Sequence, residues 1–261
     1  MKTVIQNNIV LHVRDEGPRD GVPVLFANSL GTDLRVWDAV LPLLPDGLRM
    51  IRYDKRGHGL SDAPPAPYTM EDLVADAGAV LDQLGATKAV VIGLSIGGMI
   101  AQGLAHARPD LVRAIVLMDT AARIGPAQMW QDRIRAVQDT GIAPLADGVM
   151  ARWFAPAFHR DKPAELAVWR NMLCRTTPAG YAGCCAAIAG ADLTDSTRAL
   201  ALPAIVMAGS EDGATPPDLV QATAALMDAP FHLIDGAGHL PCVESPAQVA
   251  ALITAFLKEI A

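Results

Sequence analysis

One stretch, AVVIGLSIGGMIAQGLA from Ala89 to Ala105, restricts the fold more than any other part of the chain. Its first residues, Ala89 to Ile92, are apolar and mostly β-branched, the pattern of a strand buried on both faces. From Ile96 onward, Ile96, Met99, Ile100 and Leu104 recur at helical spacing. Between strand and helix stands Gly93-Leu94-Ser95-Ile96-Gly97, a G-x-S-x-G pattern. A serine on so sharp a turn is held in a strained backbone conformation with its Oγ exposed. The small residues two before and two after it let neighbouring backbone pass close by. The helix N-terminus behind it presents free N–H groups that favour negative charge, which suits acyl transfer. Five residues alone are a weak signal in a chain with 22 glycines. Set between a buried strand and a helix, the pattern is stronger, and its chemical partners should then appear at set places.

The rest of the chain supplies a frame for that turn. Asn7-Asn8, between Thr3 to Gln6 and Ile9 to Arg14, marks a hairpin at a sheet edge, because asparagine tolerates positive φ. Val22 to Ala27, Met50 to Tyr53 and Val112 to Met118 read as buried strands. Helices are expected over Val36 to Leu44 and from Tyr68-Thr69 through Leu84. Strand alternating with helix calls for a parallel sheet with helices on both faces. From about Thr120 the alternation stops. Ala121 to Ala191 holds no convincing buried strand but carries Trp130, Trp153, Phe154, Phe158, Trp169 and Tyr181, as a helical insertion would. Strands resume at Leu202 to Gly209 and Phe231 to Ile234, with helices from Pro217 to Met227 and Pro246 to Ile260. The expected division is a core over residues 1–119, a helical cap over 120–191 and the second part of the core over 192–261.

A serine hydroxyl is a weak nucleophile until a base takes its proton, and an acid must fix that base's tautomer. His239 alone among the histidines follows a glycine-rich turn after a late strand. His58, between Gly57 and Gly59, has no evident acidic partner and reads as part of a structural loop; His12 falls in an edge strand. For the acid, Glu211, Asp212 and Asp235 compete. Asp212 is favoured for its short side chain and the glycine behind it. Two backbone N–H groups should hold the oxyanion: Ile96, directly after the nucleophile, and Leu30, in the loop that follows Val22 to Ala27.

The bulk properties narrow the partners. A net charge of −7 argues against a generic nucleic-acid surface, though one local arginine could still hold an anionic small molecule. The four cysteines show no metal-ligand spacing, and adjacent Cys184-Cys185 is a poor disulfide pair, as expected of free thiols in a reducing compartment. MKTVIQNNIV has no uninterrupted apolar run, and Ser95, Gln102 and several glycines interrupt the most apolar stretch. The expectation is a cytoplasmic protein with no membrane or nucleic-acid partner; a homo-oligomer is compatible with the sequence.

Taken together, these motifs closely resemble the α/β-hydrolase superfamily over essentially the whole chain. The carrying residues are Asn28-Ser29-Leu30-Gly31, Asp54-x-Arg56-Gly57-His58-Gly59-x-Ser61, Gly93-Leu94-Ser95-Ile96-Gly97-Gly98, Gly209-x-x-Asp212 and Gly238-His239. Asn28-Ser29 stands where many relatives have His-Gly. Within the superfamily the chain is similar to the 3-oxoadipate enol-lactonases. That resemblance rests on Ser29 to Arg35 with Trp37, and on the inserted segment's Thr120 to Gly125, Trp130-x-x-Arg133-Ile134, Arg152-Trp153-Phe154 and Gly180-Tyr181-x-x-Cys184-Cys185. It implies opening of an anionic lactone without metal or organic cofactor. On the cap, Trp130, Arg133, Ile134 and Val137 share one face of an expected helix. Arg133 is the expected contact for the substrate carboxylate, with Arg123, Arg135 and Arg152 as fallback candidates, and Trp130 and Trp153 the expected apolar walls.

Overall fold

The computed structural model describes residues 2–261. The described residues build one mixed sheet from β1 (Lys2–Gln6), β2 (Ile9–Glu16), β3 (Val22–Ala27), β4 (Leu48–Tyr53), β5 (Ala89–Leu94), β6 (Val112–Met118), β7 (Ala204–Gly209) and β8 (Phe231–Ile234). Their order across the sheet is β1-β2-β4-β3-β5-β6-β7-β8. β1 and β2 form an antiparallel hairpin whose turn residues Asn7 and Asn8 both have positive φ, and β2 is antiparallel to β4. All later pairings are parallel. β5 lies at the centre, buried along its whole length, as its unbroken apolar run demands.

Helices follow the strands in turn: α1 (Met70–Leu84), α2 (Ile96–Ala107), α3 (Ala127–Thr140), α4 (Ala146–Trp153), α5 (Pro156–Asp161), α6 (Pro163–Cys174), α7 (Pro178–Gly190), α8 (Thr194–Arg198), α9 (Pro217–Leu226), α10 (Pro241–Glu244) and α11 (Pro246–Glu259). α1 starts on a reciprocal cap in which Thr69 Oγ1 accepts from the Asp72 N–H and an Asp72 carboxylate oxygen accepts from the Thr69 N–H. It ends on Gly85 in the left-handed conformation. Among the described residues, no helix is long and apolar enough to cross a membrane.

One expected element differs. Val36 to Leu44 is not one α-helix but two short 3₁₀ turns, Leu34–Trp37 and Leu41–Leu43. Pro42 has no N–H to donate within a continuous helix, and the Asp33 carboxylate already caps the first turn through the Arg35 N–H. The buried face survives, with Trp37 and Val40 fully covered.

Two consequences matter for function. Parallel strands send the loops after β3, β5, β6, β7 and β8 to the same edge of the sheet, where open α/β sheets bind ligands. Helices α3 to α7 all lie in the chain between β6 and β7. They return to the core at Gly57 and Gly180, whose backbones approach so closely that a Cβ on Gly57 would lie 2.2 Å from the Gly180 Cα.

Candidate active site

Ser95 caps the N-terminus of α2 with φ 58° and ψ −120°, the strained conformation that its setting calls for. The flanking glycines are compelled by close approach: a Cβ on Gly93 would lie 2.2 Å from the Gly97 carbonyl oxygen, and one on Gly97 2.0 Å from that of Ala27. The Ser95 carbonyl accepts from Thr120 Oγ1 at 2.6 Å and from the Gly98 N–H at 2.8 Å. Because a peptide is planar and trans, fixing that carbonyl turns the Ile96 N–H the opposite way.

The loop after β3 uses the same device. The Ser29 carbonyl accepts from Lys55 Nζ at 2.6 Å, Thr32 Oγ1 at 2.9 Å and the Thr32 N–H at 3.2 Å. That turns the Leu30 N–H away from Lys55. The next N–H, on Gly31, is consumed by His58 Nε2 at 2.9 Å. Among the described residues neither the Leu30 nor the Ile96 N–H finds an acceptor. His58 therefore sits where the sequence suggests, in a structural role. Burial, then the Lys55 charge, push its imidazole pKa well below the ordinary value, consistent with a neutral ring that accepts at Nε2. Lys55 is itself fully buried, and burial brings its pKa down to about 8. Asn28 explains the departure from His-Gly: its amide donates to the Tyr53 carbonyl and accepts from Trp37 Nε1, both at 2.8 Å, so it fastens the loop to the core.

Asp212 and His239 meet across the loops after β7 and β8. His239 Nδ1 donates to Asp212 Oδ2 at 2.9 Å, and both residues are buried. A carboxylate only accepts, so Nδ1 carries a proton, and in the neutral ring Nε2 is then the basic nitrogen. Asp212 also accepts from the N–H groups of Ala214 and Thr215 at 2.7 and 3.1 Å. Burial alone would raise its pKa, but the His239 charge and these hydrogen bonds outweigh burial and hold it below the ordinary carboxylate value. Glu211 and Asp235, the competing acids, are exposed. The His239 backbone is tied to the inserted helices, since its N–H donates to the Trp153 carbonyl at 2.8 Å.

Ser95, His239 and Leu30 line one cavity of about 140 Å³ together with Trp130, Arg133, Trp153, Arg152 and Tyr181. The expected wall and cation positions thus converge on the serine. Trp130 is held by its Nε1–H on the Ile124 carbonyl at 2.7 Å, and the Arg133 guanidinium lies 5.4 Å from the Trp130 ring centre. Among the described residues Arg133 Nη1 donates to Tyr181 Oη alone, at 3.4 Å. Among the described residues neither Arg133 nor Arg152 has a carboxylate within salt-bridge distance. Burial, then the neighbouring Arg133 charge, lower the pKa of Arg152. Arg123 and Arg135 lie away from the cavity, paired at the surface with Asp192 and Asp132 respectively.

Sequence reasoning missed three residues here. Thr215 Oγ1 lies 2.6 Å from Asp212 Oδ2 and 3.2 Å from His239 Nδ1. Glu244 accepts from the Gly238 and Ala155 N–H groups at 2.7 and 3.0 Å, bridging the His239 loop to the inserted segment. Asp119, at the end of β6, is fully buried beside the Asp212–His239 pair. The presence of Asp119, Thr215 and Glu244 in the sequence was plain; their juxtaposition was not.

Known proteins resemble this chain in sequence and fold. A family model described as the alpha/beta hydrolase family matches residues 24–252. A 3-oxoadipate enol-lactonase of Acinetobacter baylyi is 32% identical over 264 residues, covering 98% of this chain and 96% of the relative. The crystal structure of an enol-lactonase from Burkholderia xenovorans superimposes with a TM-score of 0.95 at 34% identity, over 98% of this chain and all of that one. A malate-bound thermophilic esterase from Thermogutta terrifontis does so with a TM-score of 0.92 at 30% identity, over 99% and 98% of the two chains. The elbow at Ser95, the parallel sheet behind it and a match over most of the length place this chain in the alpha/beta hydrolase family.

Proposed function

We propose that this hydrolase opens the ring of 3-oxoadipate enol-lactone to give 3-oxoadipate, with residues 1–119 and 192–261 as catalytic core and 120–191 as a substrate-selecting cap. The observation that carries the substrate reading is the pair of cations, Arg133 and Arg152, that line the cavity of Ser95 and His239 without an acidic partner. Two guanidinium groups that repel one another in a half-buried space are relieved by a bound anion. A cavity of about 140 Å³ suits one small ring better than a long acyl chain. The likeness to enol-lactonases supports the same reading.

In this mechanism His239 Nε2 takes the Ser95 proton as Oγ attacks the lactone carbonyl. Asp212 holds the imidazole in the productive tautomer and stabilises its positive form. The oxyanion rests on the Leu30 and Ile96 N–H groups. Ring opening expels an enol oxygen, a better leaving group than a simple alkoxide, which His239 protonates and which then tautomerises to the ketone. The acyl group stays on Ser95, and water activated by His239 releases it as the acid. Arg133 and Arg152 hold the substrate's side-chain carboxylate away from the reacting carbonyl.

The test compares two substrates on the same variants. Arg133→Met and Arg152→Met should each raise KM for the enol-lactone by roughly 1.5–3 kcal/mol of lost charged hydrogen bonding, about ten- to a hundredfold. Hydrolysis of a small neutral aryl ester should stay nearly unchanged, because the triad is untouched. Equal losses on both substrates would make these arginines structural and withdraw the recognition role. Faster wild-type turnover of the neutral ester than of the enol-lactone would favour a general carboxylesterase instead.

A further inference from the structure

Asp119 is a buried carboxyl beside the Asp212–His239 pair that the mechanism above leaves idle. Its Oδ1 accepts from the Gly209 N–H at 2.8 Å, which anchors the start of the loop carrying Asp212. Its Oδ2 is buried and has no partner among the described residues. One carboxylate oxygen of Asp119, one of Asp212 and a ring nitrogen of His239 all lie within 4.8 Å of one another. Two carboxylates so close in a space shut off from water do not both ionise; the one with fewer donors keeps its proton. Asp212 has the Ala214 and Thr215 N–H groups, the Thr215 hydroxyl and the imidazole, whereas Asp119 has the single Gly209 N–H.

We propose that Asp119 is a positioning residue that stands behind Asp212 as a neutral carboxylic acid, its proton on Oδ2, and that becomes the carboxylate partner of His239 when the charge at Asp212 is removed. The groups that face it are Asp212 and His239 from the loops after β7 and β8, and Cys242 and Glu244 from α10. Burial, then the Asp212 charge, push the Asp119 pKa well above the ordinary value, as does Glu244 in smaller measure. Burial likewise pushes the Cys242 thiol far up, so that it stays uncharged. In the wild-type enzyme one negative charge therefore serves the imidazolium. Replacing Asp212 by asparagine removes the like charge that adds to burial in keeping Asp119 protonated, and the imidazolium of His239 beside it then favours release of the Asp119 proton to solvent as pH rises.

This inference rests on the triad assignment, so the experiment separates the two. Hydrolysis of a neutral aryl ester is measured for wild type, Asp119→Asn, Asp212→Asn and the double variant across about pH 6 to 9. Asparagine at 119 keeps the Oδ1 acceptor for Gly209, so Asp119→Asn should fold and lose less kcat than Asp212→Asn at neutral pH. The double variant should fall at least about tenfold below Asp212→Asn. The ratio of Asp212→Asn activity to double-variant activity should climb with pH, since His239 is the base in both and only Asp119 differs. In the infrared, the band of protonated acids should lose the Asp119 contribution in Asp119→Asn and keep that of Glu244. A double variant no worse than Asp212→Asn, an activity ratio that stays flat with pH, an infrared band unchanged in Asp119→Asn, or an Asp119→Asn as impaired as Asp212→Asn would each overturn the inference. If Asp212→Asn itself retained nearly wild-type activity, the triad assignment would fall first, and this inference with it.

Discussion

At Asp212 and Glu211, neighbours in sequence, one carboxylate is buried against His239 and the other faces solvent. Asp212→Asn should lower kcat severely, by about a hundredfold or more, because an amide can stabilise the wrong imidazole tautomer; any stand-in by Asp119 sets the floor. Glu211→Gln should stay within about threefold of wild type, since exposed substitutions away from the site have small effects. Steady-state kinetics on any ester substrate decides between them, and reversed ranks would mean that the wrong acid has been assigned. The preference for Asp212 was legible in sequence because a short side chain followed by glycine suits a tight loop. Arg152 was legible only as one of several arginines. What sets it apart from Arg123 and Arg135 is the absence of a nearby carboxylate and its place on the cavity, and both are tertiary facts.

The elements were legible where one local rule dominates. β3, β5 and β6 are apolar runs that must be buried, and the turn at Asn7-Asn8 needs positive φ. Val36 to Leu44 misled because its apolar spacing suits a helix while Pro42 breaks the backbone bonding that a helix needs. The short α10 was missed because four residues carry no period. It nevertheless bears Glu244, which joins the His239 loop to the segment after α4 through two N–H donors. Glu244→Gln keeps one acceptor but can turn an amide N–H toward a backbone N–H, so it should lower stability by about 1–3 kcal/mol. Burial pushes the Glu244 pKa up to about 7 from its usual 4.5, against the pull of those donors. A carboxyl with a raised folded-state pKa adds stability that is full below about pH 4.5 and lost as pH rises through about 7. The Tm gap between wild type and Glu244→Gln should therefore narrow across that window. A gap that widened with pH would contradict the assignment.

Across the whole molecule, the sheet brings residues from five loops to one edge, and the helices inserted after β6 close a small cavity over them. The linear order of serine, acid and histidine was readable because each follows a strand of the same parallel set. Contacts that cross between core and insertion were not, since the Trp153 carbonyl and the Gly57–Gly180 approach depend on how the two parts pack. We propose that the core supplies acyl transfer and that the insertion selects an anionic lactone. The most direct test is hydrolysis of freshly generated 3-oxoadipate enol-lactone by the wild-type enzyme and by Ser95→Ala. The account predicts efficient saturable turnover by the wild type, and a kcat at least about a thousandfold lower for Ser95→Ala, since triad members act as a unit. A wild-type enzyme that leaves the lactone to its spontaneous rate, or a Ser95→Ala variant that keeps more than about a tenth of wild-type kcat, would contradict it.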